Sequence, residues 1–154
     1  MARMLPLSKG CQYAIRTAAS LSREPLGTVV PRREVSRRTQ IPYDFVSKIL
    51  QTLTKAGLLR SHRGARRGYS LARPSREISL LDVVVAYDGP LGHEGCLLDD
   101  HKVCPGERVC AVHHRRMAVQ KKIIEGLLAA RVSDVAKTLF TRRGAGSFKL
   151  PDFL

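Results

Sequence analysis

The chain has 154 residues, enough for one domain that folds around a buried apolar core without disulfide cross-links. It carries 27 Lys and Arg against 13 Asp and Glu, a net charge of +14, and a surface of that sign attracts polyanions such as nucleic acids. No stretch approaches the roughly 18 to 20 apolar residues of a membrane span, and the N-terminus has no long apolar segment. We therefore expect a cytoplasmic protein that has no membrane partner.

The first third of the chain predicts two helices. Ser8 is suited to cap the first of them. The apolar residues that follow at helical spacing are Cys11, Ala14, Ile15 and Ala18. We expect this helix to end near Pro25, and a second helix to cover residues 31–39. The second helix should stop before Pro42, because a proline disfavours the helical conformation in the residue that precedes it.

A third predicted helix, over residues 43–56, carries a candidate DNA-reading face. Its apolar stripe consists of Val46, Ile49, Leu50 and Leu53, and Gly57 follows as a C-cap. The opposite face consists of Asp44, Lys48, Gln51 and Lys55, with Ser47 beside them. In a helix-turn-helix the second helix of the pair lies in the major groove, and its exposed N-terminal residues approach the bases. The candidate base-contacting residues are therefore Tyr43, Asp44, Ser47 and Lys48.

Two short predicted strands, over residues 58–60 and 68–71, enclose a basic loop with the composition of a hairpin turn. The segment from Gly57 to Arg76 has no acidic residue and contains Arg60, Arg63, Arg66, Arg67, Arg73 and Arg76. Guanidinium groups at a loop tip can enter a minor groove or bind the flanking phosphates. The fold class that follows is mainly α with a small β-hairpin wing, a winged helix-turn-helix. Its predicted DNA contacts include Arg60, Arg63, Arg66 and Arg67.

The rest of the chain predicts a fourth helix, a polar loop and a long helix. We assign residues 1–90 to a DNA-binding domain, 91–110 to a cysteine-containing loop, 111–140 to a long helix with a short one after it, and 141–154 to a tail. The long helix carries an apolar stripe that a small domain cannot cover, and a second copy of the chain is the simplest cover. The long helix is thus the predicted dimerisation element of a homodimer.

Three cysteines in the polar loop form a candidate metal site. Cys96, Cys104, Cys110 and His113 follow the pattern C-x7-C-x5-C-x2-H, and three thiolates with one imidazole can surround one centre. The spacing alone favours an iron-sulfur cluster and a zinc ion equally. A third interpretation is that the thiols bind no metal and form a disulfide on oxidation. Cys11 lies on the apolar stripe of the first helix, which favours a buried free cysteine.

The residues resemble the Rrf2 family of bacterial winged-helix regulators, which includes the IscR-, NsrR- and RirA-type iron-sulfur sensors. The matching segments are Leu7-Ser8-Lys9-Gly10, Ile41-Pro42, Leu53 to Leu59, Arg63-Gly64, Gly68 to Ala72 and Ile78 to Val84. The resemblance implies a homodimer that binds an imperfect palindrome in double-stranded DNA. It also implies that an iron-sulfur cluster on the three cysteines responds to iron, redox state or nitric oxide and controls operator binding. A DNA-binding regulator with structural zinc or a thiol/disulfide switch is the alternative.

The resemblance also implies residue roles. Arg63 is the wing residue that enters the minor groove, and Ser47 and Lys48 occupy base-contacting positions. His113 matches the fourth ligand of the IscR type, whereas NsrR-like members take that ligand from the partner's first helix, where this chain offers Gln12 or Cys11. The nuclearity, 2Fe-2S or 4Fe-4S, stays open. The chain departs from the family at Arg67, where the wing usually has glycine. An enzyme is not expected, because no acid or base is placed around the cysteines.

Overall fold

A computed structural model describes residues 7–91 and 111–141. The elements, in chain order, are α1 (Lys9–Leu21), α2 (Arg32–Thr39), α3 (Tyr43–Lys55), β1 (Leu59–His62), β2 (Gly68–Leu71), α4 (Leu80–Asp88), α5 (Ala111–Ala129) and α6 (Val132–Thr141), with a 3-10 turn at Ser75–Glu77. The two strands form an antiparallel hairpin. The expected fold class, mainly helical with one small hairpin, is confirmed. None of the described helices is long and apolar enough to cross a membrane.

Helix α1 is central and packs against α2, α3, α4 and α6. Its cap is as expected: the Ser8 hydroxyl accepts a hydrogen bond from the Cys11 amide at 3.0 Å. The helix ends at Leu21, earlier than the expected stop near Pro25. Two i→i−3 bonds tighten the chain after it, and Pro25 disfavours a helical conformation at Glu24.

The turn between α2 and α3 depends on one left-handed residue. Gln40 has φ 56° and ψ 33°, a conformation that costs a residue with a Cβ about 1–2 kcal/mol. The turn is fixed by Ile41, which is 1% exposed in the core. Its carbonyl accepts a bond from the Ser36 hydroxyl at 2.7 Å. The sharp reversal sets the angle at which α3 leaves α2.

Helix α3 ends in a Schellman motif that begins the wing. Gly57 has φ 74°, its amide bonds the Thr54 carbonyl, and the Leu58 amide bonds the Leu53 carbonyl, both at 3.0 Å. The cap uses the amide of Leu58, while its carbonyl accepts from the Ala72 amide at 3.0 Å and so leads into the hairpin. Strand β1 itself covers Leu59–His62 instead of the expected 58–60.

A third stretch of backbone joins the hairpin. Val30 and Tyr69 exchange two amide-to-carbonyl bonds of 2.9 Å. The approach requires glycine at position 68, since a Cβ there would lie 2.5 Å from the Val30 carbonyl oxygen. The wing is thereby tied to the residues that lead directly into α2.

The segment after α5 packs against the N-terminal part of the fold. The Leu80 amide bonds the Ala130 carbonyl at 2.9 Å, and the Val132 amide bonds the Ile78 carbonyl at 3.0 Å. Val132 is fully buried in the same core as α1 and α3. Helix α4, between these contacts, begins with a capping box formed by Ser79 and Asp82. Helix α6, which follows α5, is therefore part of the same core as α1 and α3.

Candidate nucleic-acid interface

A basic groove of about 890 Å³ runs between the start of α2, the exposed face of α3 and the hairpin. Its lining residues are Pro31, Arg32, Arg33, Tyr43, Gln51, Thr54, Lys55, Ser61, His62, Arg63, Arg67, Gly68 and Tyr69. Five of these described residues are Arg or Lys, and none is acidic. A concave surface of one charge sign concentrates oppositely charged groups.

The local sequence explains why the groove has these walls. The bridge between Val30 and Tyr69 places the hairpin beside the first turn of α2. Pro31 caps that helix without a side-chain bond, and its fixed φ suits the entry into a helix. The apolar stripe of α3 is fully buried at Val46, Ile49, Leu50 and Leu53, which turns the polar stripe of the helix toward the groove and solvent.

Arg32 is held against the N-terminal part of α3 by two contacts. Its guanidinium carbon lies 4.2 Å from the centre of the Tyr43 ring, within the range of a cation-π interaction. Its Nη1 donates a hydrogen bond to the Ser47 hydroxyl at 3.0 Å. That hydroxyl donates in turn to the Tyr43 carbonyl at 2.9 Å. The three side chains form one connected group on the reading side of the helix-turn-helix.

The structure brings together some of the residues that the sequence singled out. Tyr43, Arg63 and Arg67 line the groove. The residues that are exposed but lie outside its lining are Asp44, Lys48, Arg60 and Arg66. Ser47 is half-buried, and its hydroxyl is engaged by Arg32 and by the backbone. Direct base contact by Ser47 and Lys48 stays a prediction.

Sequence reasoning did not single out Arg32 and Arg33 as DNA-contacting residues. Both belong to α2, which in a helix-turn-helix is expected to cross the backbone rather than enter the groove. The one signal for them is the run Arg32-Arg33 directly after Pro31. That run marks the positive first turn of a helix, an unusual place for arginine because the helix dipole is positive there.

The remaining arginines of α2 are paired with carboxylates. Arg37 and Arg38 both bond Glu34 at 2.6 Å, and Arg38 also reaches Glu24 at 2.6 Å. Hydrogen bonds from Arg37 and then Arg38 lower the pKa of Glu34 to about 2. These pairs neutralise the C-terminal half of α2, so the positive charge of this helix is concentrated at Arg32 and Arg33, next to the groove.

Helix α1 packs against α3 and contacts it through an aromatic pair. Tyr13 packs edge-on against Phe45, with ring centres 6.2 Å apart, and Phe45 is 49% exposed. Arg16 lies 5.8 Å from the Tyr13 ring and donates to the carbonyl of Thr39 at the helix-turn-helix turn. A displacement of α1 would therefore alter its contacts with Thr39 at the end of α2 and with Phe45 at the start of α3.

Helix α1 is also joined to the end of α4, which precedes the predicted cysteine-containing loop. The Ser8 amide donates to Asp88 at 2.9 Å, and the Ser8 hydroxyl donates to the same carboxylate. A Cβ on Gly10 would lie 2.4 Å from the Tyr87 ring, so only glycine permits this approach. The end of α4, just before the predicted cysteine-containing segment, is thus fixed to α1.

Only one of the four predicted metal ligands lies in the part of the chain that the structure describes. Cys96, Cys104 and Cys110 lie outside the described residues. His113 is half-buried in the first turn of α5. Within residues 7–91 and 111–141 no group of three or more His, Cys, Asp or Glu is placed to hold a metal ion.

The two α1 candidates for a ligand donated to the partner differ sharply in access. Cys11 is fully buried in its own fold, as the sequence predicted. Burial, followed by the nearby Asp88 carboxylate, raises the pKa of its thiol to about 12. Gln12 is exposed, and its side-chain amide donates to the Leu7 carbonyl at 3.3 Å. Of the two, only Gln12 is at the surface.

Comparison with known proteins agrees with this architecture. The model of the Rrf2 family, described as an iron-dependent transcriptional regulator, matches residues 7–138. Rv1287 of Mycobacterium tuberculosis, whose name describes an HTH-type transcriptional regulator, is 42% identical over 85 residues. This alignment covers 55% of the chain and 53% of that relative, so the chain matches about half the length of its mycobacterial relatives.

Two solved structures establish the fold. CymR, the global cysteine regulator of Bacillus subtilis, has a TM-score of 0.74 at 19% identity, over 87% of this chain and 98% of that one. IscR of T. potens has a TM-score of 0.69 at 21% identity, over 93% of this chain and 95% of that one. The match to the family model over residues 7–138 shows that the chain belongs to the Rrf2 family of winged-helix transcription regulators.

Proposed function

We propose that the protein is a homodimeric transcription regulator that binds an imperfectly palindromic operator in double-stranded DNA, under the control of an iron-sulfur cluster. The observation that carries the DNA-binding part is the basic groove, where Arg32, Arg33, Lys55, Arg63 and Arg67 line one concave surface beside α3. Helix α3 is the element that enters the major groove, and the wing with Arg63 reaches the adjacent minor groove.

Salt dependence tests the DNA-binding part. If Arg33, Lys55, Arg63 and Arg67 each neutralise a phosphate and displace a counterion, the slope of log affinity against log salt should be about −3.5 or steeper per protomer. Fluorescence anisotropy with a labelled duplex, selected by the protein from a random-sequence library, measures this slope. Arg63→Ala should make it shallower by about one per protomer. A nearly flat slope for the unsubstituted protein would contradict the proposal.

Dimerisation is supported by the exposed apolar residues of α5. Met117 is 48% exposed and Leu128 is 50% exposed. They are eleven residues apart, which is close to three full turns, so they share one face of the helix. A face of this kind on a protruding helix is suited to pair with its copy in a second chain. A dimer also places two reading helices at the spacing that a palindrome requires.

The donor set supports a metal centre in the loop that precedes α5. Cys96, Cys104 and Cys110 offer three thiolates, the ligands that iron-sulfur clusters use, and His113 offers an imidazole three residues after Cys110. A bound cluster supplies a redox- and nitric-oxide-sensitive centre at this place. Asp88, the last residue of α4, is bonded to Ser8 at the start of α1, and α1 contacts the helix-turn-helix through Tyr13 and Arg16. In this proposal, a change at the metal centre reaches α3 through these contacts.

Anaerobic purification tests the cluster. A brown protein with visible charge-transfer absorption and with iron and sulfide bound in stoichiometric amounts supports it. A colourless protein with one equivalent of zinc supports the structural-zinc alternative, and a colourless protein that gains a disulfide on oxidation supports the thiol switch. Mobility-shift assays on the loaded and metal-free forms then show which form binds the operator.

His113 is the fourth ligand in this proposal. Cys11 is unsuited to that role because its side chain is fully buried in its own fold. His113→Ala should alter the cluster's visible and resonance Raman spectra, and Gln12→Ala should leave them unchanged. An unaltered spectrum in His113→Ala, with a change in Gln12→Ala, would assign the ligand to the partner's Gln12 instead.

A further inference from the structure

We infer that Arg32 and Ser47 form a single base-reading unit, in which Arg32 of α2 contributes directly to sequence recognition and the unit selects a G·C base pair. The inference rests on the proposed DNA binding and assigns a sequence-reading task to a residue of the first helix of the motif. Three observations carry it: the position of Arg32 in the basic groove, its bond to Ser47, and its stacking on Tyr43.

The contacts fix the polarity of Ser47. Its proton is directed at the Tyr43 carbonyl, 2.9 Å away, and one lone pair accepts from Arg32 at 3.0 Å. A hydroxyl has one donor and two acceptor sites. Ser47 therefore keeps one site for DNA, and that site is an acceptor.

The Arg32 guanidinium is held in place and still has unused N–H donors. It lies over the Tyr43 ring at 4.2 Å, and a planar guanidinium stacks well on an aromatic face. Of its five N–H groups, the bond to Ser47 uses one. The side chain is half-buried, so little rotamer freedom is left to lose when DNA binds.

The edge presented by this unit complements a G·C pair. In the major groove a G·C pair shows two acceptors on guanine, N7 and O6, next to the N4 donor of cytosine. Two N–H groups of Arg32 match the two acceptors, and the free lone pair of Ser47 matches the donor. An A·T pair shows an acceptor, a donor and an acceptor, which leaves one guanidinium N–H opposite another donor.

A phosphate contact is the competing role for Arg32. Arg33 stands next to it in the same groove and is exposed, as a phosphate-binding side chain should be. Arg32 instead is turned onto α3, where its charge is less accessible to the backbone of the duplex. Arg33 therefore provides a matched control of equal charge one position away.

The test measures base preference rather than affinity alone. The wild-type protein selects a duplex from a random-sequence library, and each base pair of a half-site is then replaced in turn. Wild type should prefer G·C at one position by about tenfold. Arg32→Leu and Arg32→Lys should both reduce that preference to near unity, since lysine keeps the charge but lacks the planar fork. Ser47→Ala should weaken the preference, and its effect should be smaller in the Arg32→Leu background.

Arg33→Ala should lower affinity for every duplex by a similar factor and retain the preference at each position. Thermal unfolding of each variant establishes that the fold is kept. If both Arg32 variants retain the preference, or lose affinity equally for all duplexes, the inference is wrong although DNA binding stands. If wild type binds no duplex selectively, the proposed function fails, and the inference with it.

Discussion

At the scale of single residues, Gln40 limits the stability of the helix-turn-helix. It occupies the left-handed region with φ 56°, where glycine alone has no steric cost. We predict that Gln40→Gly raises the free energy of unfolding by about 0.5–1 kcal/mol, because the relief of about 1–2 kcal/mol exceeds the entropy that glycine adds to the unfolded chain. Urea denaturation measures the change.

Gln51 is the control for this substitution. It is exposed in the middle of α3, where glycine is a poor helix former. Gln51→Gly should lower the free energy of unfolding by about 0.5–1 kcal/mol. Destabilisation in both variants would mean that Gln40 makes contacts that outweigh its backbone strain.

Burial lowers the reactivity of the Cys11 thiol. A thiol whose pKa is about 12 holds roughly one molecule in ten thousand as thiolate at pH 8. In a variant with Cys96, Cys104 and Cys110 changed to serine, Cys11 should therefore resist iodoacetamide in the native state and react once the chain is unfolded. Mass spectrometry of the labelled peptide gives the rates.

An exposed thiol one position along provides the comparison. Adding Cys11→Ala and Gln12→Cys to the same background moves the only thiol from the core to the surface of α1. This variant should be labelled rapidly without denaturant. Equal native labelling of the two variants would show that α1 opens readily and that Cys11 is accessible after all.

At the scale of elements, the ion pairs of α2 make its stability depend on pH. The folded-state pKa of Glu34, about 2, lies below its ordinary 4.5. A depressed carboxyl pKa adds stability that is fully present above pH 4.5 and is lost as the pH falls toward 2. We predict that Glu34→Gln lowers the melting temperature at pH 7 and that the difference from wild type vanishes toward pH 2.

Removing one partner tests whether the pairs cause this dependence. Arg38 joins Glu34 to Glu24 beyond the end of α1. In the Arg38→Met background, the effect of Glu34→Gln at pH 7 should shrink, because only Arg37 remains to stabilise the carboxylate. An undiminished effect would assign the stability to Arg37 alone.

The elements of this fold were predictable where short-range patterns decide them. The stripe of Val46, Ile49, Leu50 and Leu53 defined α3 and its buried face, and all four residues are fully buried. Gly57 marked the end of that helix and has the positive φ of a C-cap. Both signals act within one or two helical turns, so the sequence contains all that is needed to interpret them.

Features that depend on distant contacts were not predictable. The bond from Arg32 to Ser47 joins residues fifteen positions apart on two helices, and no spacing rule states where a long arginine side chain will turn. The pairing of Val30 with Tyr69 and the burial of Val132 likewise depend on tertiary packing. Three of the residues predicted on α3 and the wing, Tyr43, Arg63 and Arg67, line the groove, whereas its lining residues from α2, Arg32 and Arg33, were not predicted.

At the scale of the whole molecule, α5 is the described element with the most exposed large apolar residues: Val112, Met117, Val119 and Leu128. Met117 and Leu128 share one face and are about half exposed, whereas Val119, 57% exposed, lies nearly opposite Met117 on the helix. Around the helix, the half-buried residues Gln120, Ile123, Ile124 and Leu127 lie between these two positions, and α5 packs against α4. Two different faces of one helix thus offer apolar side chains, and a partner helix can cover only one of them.

We predict that the face of Met117 and Leu128 is the dimer contact. Leu128→Asp should raise the dimer dissociation constant at least tenfold, because a carboxylate buried in a helix-helix interface is left without a partner. Val119→Asp introduces the same charge on the opposite face and should leave the dissociation constant within about twofold. Sedimentation equilibrium measures both, and operator affinity should fall in parallel with dimerisation, since one reading head holds only half a palindrome. If Val119→Asp dissociates the dimer and Leu128→Asp does not, the partner helix packs on the other face, and the two reading heads have a different relative orientation.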